Sequence, residues 1–134
     1  MKIPILRLGE ILLTSIQVDL TDEDILQFQQ DVLNEIKQRE SQGIVIDITS
    51  LEVVDSFMAR AINETASMAR LLGAEVVVCG IQPSVALTLV EMGRGLIGVK
   101  STFDLEQGLR EVKRLIAQRQ LDADSAAGDP HEPF

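Results

Sequence analysis

Two short stretches are apolar at almost every position and rich in β-branched side chains: Ile44-Val45-Ile46-Asp47-Ile48 and Val76-Val77-Val78-Cys79. Such runs suit central strands covered on both faces. Gly43 and Gly73 stand just ahead of them and are expected to close the preceding helices. The opening, Ile3 to Leu8, then Gly9-Glu10, then Ile11 to Val18, reads as two strands around a tight turn. Elsewhere the apolar positions recur every three or four residues. Ile25, Phe28, Val32 and Ile36 share one helical face behind Thr21, a good N-cap, and behind Asp22, Glu23 and Asp24, which favour the positive end of the helix dipole. A second helix opens near Asp55–Ser56 and is expected to bury Met58, Ala61, Ile62, Thr65, Met68, Ala69 and Leu72. Arg60, Asn63, Glu64, Ser67 and Arg70 occupy its other faces. A third runs from about Pro83 to Met92, with Pro in the first turn. The fourth starts near Asp104 and carries Leu105, Leu109, Val112 and Ile116, after a brief strand around Val99 to Phe103.

The resulting order is β-β-α-β-α-β-α-β-α. It implies one α/β domain with a mixed sheet, an initial hairpin followed by parallel strands, and about four helices. The domain is expected to span residues 1–120. Beyond Gln120 the segment LDADSAAGDPHEPF loses periodicity, and residues 121–134 read as an acidic, disordered tail.

Composition narrows the function. With no Trp, no Tyr and four Phe, stacking on nucleic-acid bases is scarcely available, and a formal charge of −9 repels a phosphate backbone. The charge is uneven: residues 1–120 hold 12 basic and 17 acidic side chains, a net of −5, and the rest lies in the tail. The single cysteine, Cys79, excludes an intrachain disulfide. The apolar run behind Lys2 is soon interrupted by Arg7, Gly9 and Glu10, so neither a signal peptide nor a membrane span is expected, and a cytoplasmic location is.

Catalytic patterns fail on context. Gly93-Arg94-Gly95-Leu96-Ile97-Gly98 matches a dinucleotide fingerprint but follows a helix and precedes a strand, the reverse of what phosphate binding requires. Gly93 reads instead as a helix C-cap. Asn63-Glu64-Thr65 fits the glycosylation pattern but falls mid-helix. Cys79 lies in a buried strand, and the only histidine, His131, lies in the tail, so no positioned base or zinc cluster is foreseen. Asp47, Glu52 and Asp55 gather around one strand-to-helix loop, where ligands bind in open α/β sheets. Nothing basic in that loop would hold a substrate phosphate. No enzyme activity, cofactor or metal is expected.

That same loop, from Ile44 through Asp47-Ile48-Thr49-Ser50-Leu51-Glu52-Val53-Val54 to Asp55-Ser56-Phe57, resembles the hallmark of STAS domains: an apolar strand ending in Asp, a loop, then Asp-Ser opening a helix. The Lys2-Ile3-Pro4-Ile5-Leu6 start, Gly80-Ile81-Gln82-Pro83 and Asp104-Leu105-Glu106-Gln107-Gly108-Leu109 extend the likeness over roughly residues 2–118. The resemblance is strongest to the stressosome scaffolds within that family. It implies a scaffold that sequesters a switch serine kinase, assembles with a sensor STAS paralogue into a large homo- and hetero-oligomeric complex, and is reset by a phosphatase. Ser56 is the implied phosphorylation site, with Asp47, Asp55, Phe57 and Arg60 as partner contacts. A diffusible anti-sigma-factor antagonist regulated through the same serine is the alternative. On physical grounds a serine near a helix N-terminus offers its hydroxyl beside free amides, and a phosphate there adds about −1.5 to −2 charges.

Overall fold

The computed structural model describes residues 2–17, 19–92, 96 and 98–127. Nine elements follow one another: β1 (Ile5–Leu8), β2 (Ile11–Ser15), α1 (Asp22–Arg39), β3 (Gly43–Asp47), α2 (Ser56–Leu71), β4 (Glu75–Cys79), α3 (Pro83–Glu91), β5 (Lys100–Thr102) and α4 (Leu105–Ala127). The order is the one expected from periodicity. The strands form a single sheet in the order β1-β2-β3-β4-β5. β1 pairs antiparallel to β2, with Leu6 opposite Leu13, and every other pair is parallel, with Ile44 opposite Val76 and Val78 opposite Ser101.

Alternation along the central strands builds two cores. Leu12, Ile44, Ile46, Val76 and Val78 face a layer of α1, α2 and α3, where Phe28, Val32, Ile62, Ala66, Val85 and Leu89 close over them. Ile11, Val45, Val77 and Cys79 face the other way, onto Val112, Leu109 and Ile116 of α4. β3 and β4 are thus apolar on both faces because helices cover both.

Several boundaries differ from the expectation, each for a physical reason. Gly43 does not cap α1; the left-handed residue there is Glu40, with φ of 50°. Gly43 is needed for packing instead, since a Cβ on it would lie 2.5 Å from Val112 Cγ2. The α2 stripe shifts, so that Ala59 and Ala66 are buried while Leu72 is 49% exposed. These small residues let α2 approach the sheet closely. α4 runs on to Ala127 through the first seven residues of the expected disordered tail. An established helix adds one hydrogen bond per residue without a new nucleus, and Gln118 donates to Asp122 one turn on at 3.0 Å. Residues 128–134, with His131, lie outside the described residues, as do Gly93, Gly95 and the Gly93 cap. No described helix is long and apolar enough to cross a membrane.

Candidate functional site

The parallel strands all point their C-terminal ends to one edge of the sheet, and the loop from β3 to α2 stands on that edge. Its first residue extends the ladder, Ile48 N–H donating to Cys79 O at 3.0 Å, and Leu51 N–H then turns back onto Ile48 O at 3.0 Å. Asp47 Oδ1 accepts from Thr49 N at 3.0 Å and from the Thr49 hydroxyl, a local turn that a short carboxylate makes readily. Leu51 and Val54 are buried and pin the loop to the core, whereas Val53 between them is 80% exposed.

The neighbouring loop, from β4 to α3, fastens it from the side. Gln82 Nε2 donates to Thr49 O at 3.1 Å, and the Ser84 hydroxyl donates to Glu52 O. Gly80 makes this approach possible: its φ is +77°, and a Cβ there would meet Thr49 Oγ1 at 2.0 Å and Thr49 Cα at 2.9 Å. Only a residue without a side chain fits both the backbone and the space.

At the mouth of α2, Asp55 takes the N-cap with extended backbone, and its Oδ1 accepts from Met58 N at 2.8 Å. Ser56 is therefore the first helical residue rather than the cap. It is exposed, and among the described residues its hydroxyl makes no hydrogen bond. Phe57 and Met58 are both half-buried and pack against the larger core, so Phe57 offers only part of its ring. Arg60, one turn along from Ser56, is exposed and forms no ion pair among the described residues. Asp47 is half-buried, tied to Thr49 and against Cys79. Burial, and after it the charge of Asp47, pushes the Cys79 thiol up to about 12. That thiol is protonated and inert at neutral pH.

Of the sequence-derived residues, Asp55, Ser56 and Arg60 stand exposed along the opening of α2, Phe57 is partly withdrawn, and Asp47 belongs to the loop's framework. Gln82, Ser84 and Gly80, which hold the loop, were not among the expected site residues. The Gly-Ile-Gln-Pro run carried the only signal for them. Among the described residues no group of three or more His, Cys, Asp or Glu side chains could hold a metal ion.

Comparison with known proteins places this geometry. The STAS-domain family model matches residues 2–104. RsbT co-antagonist protein RsbRA of Bacillus subtilis (strain 168) is 35% identical over 81 residues, 60% of this chain and 30% of that protein. RsbT co-antagonist protein RsbRD of the same strain is 29% identical over 80 residues, 60% of this chain and 29% of its own length. The chain thus spans under a third of these curated relatives. Among solved structures, Moorella thermoacetica RsbS with a serine-to-glutamate substitution superposes with a TM-score of 0.79 at 38% identity, covering 86% of this chain and 97% of that one. A chain of the stressosome, described as a signal integration and transduction hub, gives 0.75 at 41% identity over 84% and 97%. The unphosphorylated anti-sigma factor antagonist SpoIIAA, at 12% identity and a TM-score of 0.64, shares the fold.

Proposed function

This chain belongs to the STAS-domain family, and on that premise we propose that it is a non-enzymatic scaffold of a bacterial stress-signalling complex, the stressosome. It sequesters an RsbT-like switch serine kinase in the cytoplasm and releases it when Ser56 is phosphorylated. Identities of 38% and 41% over nearly the full length of an RsbS chain and a stressosome chain support the assignment. So does the likeness to two RsbT co-antagonists, which makes an RsbR-like sensor paralogue the co-assembling partner. A phosphatase resets the scaffold.

One observation carries the switch: Asp55 caps α2, leaving the Ser56 hydroxyl exposed and uncommitted. A serine that serves as the N-cap spends its hydroxyl on a backbone amide, and modifying it would remove that bond. Here a kinase can reach the hydroxyl without unfolding the turn. The added dianion lies beside the first-turn amides and the positive end of the helix dipole, so the fold tolerates it. A partner seated on this helix instead meets a bulky charge in a desolvated contact. A loss of about 3 kcal/mol there weakens binding roughly a hundredfold.

The test is incubation with purified RsbT-type kinase and ATP, with the phosphate located by mass spectrometry. Phosphate on Ser56, retained kinase binding by Ser56→Ala and weakened binding by Ser56→Asp support the proposal. If both variants bind as wild type does, it fails. Size-exclusion chromatography with the sensor paralogue decides the setting: a very large particle is expected, and a persistently small species would favour the diffusible anti-sigma-factor antagonist.

A further inference from the structure

β5, the last strand of the sheet, ends in a loop that the Ser56 switch does not use. This loop projects Phe103, which is 88% exposed. An aromatic ring so placed leaves a large apolar surface in water, and Tyr, Phe and Trp are enriched where proteins meet partners. The loop beneath it is firmly built. Asp104 Oδ1 accepts from Gln107 N at 2.8 Å, the Thr102 hydroxyl donates to Asp104 O at 3.0 Å, and Phe103 N–H donates to Gln107 Oε1 at 3.4 Å. Beside the ring lies an open groove of about 250 Å³ lined by Ile81, Ser101, Thr102, Phe103 and Gln107.

The groove and the switch are joined through one loop, from β4 to α3. Ile81 forms the groove's wall, and the next residue, Gln82, holds Thr49 of the Ser56 loop. Val53 rises from that loop as a second exposed apolar side chain. Around both stand the exposed carboxylates Glu52, Asp55, Asp104 and Glu106, against the cations Arg60, Lys100 and Arg110, of which Arg110 is already loosely paired with Glu106 at 3.8 Å. A surface with apolar anchors and an acidic rim fits a partner that offers an apolar side chain within a basic surround.

We propose that the groove at Phe103 is the second half of the kinase-docking surface and receives an apolar side chain from the same kinase that modifies Ser56. The identity of the occupant rests on the Ser56 reading; the groove rests on its own geometry. Phe103 acts as an anchor, remote from the hydroxyl, so it governs how tightly the kinase holds and not how fast phosphate moves.

The experiment is steady-state phosphorylation of the full chain by purified RsbT-type kinase, comparing wild type, Phe103→Asp and Phe103→Leu. Because Phe103 is exposed, both variants are expected to melt as wild type does. Phe103→Asp should raise KM about tenfold or more with kcat unchanged, and Phe103→Leu should recover most of the loss. The wild-type KM should also rise with salt, as an acidic rim facing a basic partner requires. Normal phosphorylation of Phe103→Asp with an unchanged KM overturns the groove alone and leaves the Ser56 reading standing. A wild-type chain that is never phosphorylated overturns that reading, and the occupant with it. A change in the sedimentation mass of the isolated chain on Phe103→Asp would assign the groove to a second copy and overturn the kinase.

Discussion

Removing the Asp55 carboxylate should destabilise the domain, while removing the Ser56 hydroxyl beside it should not. Asp55→Ala deletes the acceptor of the Met58 amide, a bond of 2.8 Å. Loss of an N-cap costs about 1 kcal/mol, and loss of a negative charge at the helix's positive end adds about 0.5 kcal/mol at an exposed position. Together that is roughly 1.5 kcal/mol. For a domain of this size each kcal/mol moves Tm by roughly 4 °C, so Asp55→Ala should melt about 6 °C lower. Asp55→Asn keeps an acceptor and should lose much less. Ser56→Ala deletes an exposed, unbonded hydroxyl and should stay within about 0.5 kcal/mol of wild type. Thermal unfolding by circular dichroism, with urea midpoints as a second measure, reads all three. If Ser56→Ala falls as far as Asp55→Ala, the serine is a working cap. The division of labour that frees it for modification is then wrong.

Other outcomes follow from the same geometry. Gly80→Ala forces a Cβ into Thr49 and strains a positive φ, so it should destabilise by more than about 1 kcal/mol and loosen the Ser56 loop, measured by urea denaturation and by hydrogen exchange at Thr49–Leu51. Cys79 holds its proton up to about 12, against an ordinary thiol near 9, so folding binds the proton more tightly than unfolding does. Its contribution to stability is therefore complete below about pH 9 and declines from there toward pH 12, and a thiol reagent at pH 8 should label Cys79 only in denaturant. Arg119 donates to Gly73 O at 2.6 Å and lies 3.6 Å from Glu75, joining α4 to the strand-starting edge of the sheet. Arg119→Ala should speed amide exchange across residues 120–127 while lowering global stability by no more than about 1 kcal/mol, since the ion pair is partly exposed.

The central sheet was legible because strands covered on both faces must be apolar almost throughout, as Ile44–Ile48, Asp47 apart, and Val76–Cys79 are. α1 was equally plain, since Thr21 takes the N-cap that the sequence suggested; the return bond from the Thr21 amide to Asp24 was not foreseen. Other assignments needed three dimensions. Asp55 and Ser56 are both competent caps, and only backbone angles decide which one takes the role. Gly43 resembles a helix terminator, yet the demand on it comes from Val112, nearly seventy residues away in the chain. Phe103 was counted within the brief strand around Val99 to Phe103, whereas β5 ends at Thr102 and the ring stands in solvent. The length of α4 was missed because a polar stretch with low local preference persists as helix when attached to one already formed.

The Ser56 loop is held by Gln82, by Ser84 and by the bare backbone of Gly80, so three separate ties resist its displacement. A charge placed at its end sits on the surface, beyond the strand β3 and the core beneath it. On the proposed switch, a phosphate on this serine acts first on the surface of one molecule. Should an assembly of such domains respond cooperatively, the contacts where one subunit meets the next are the place to look for the coupling.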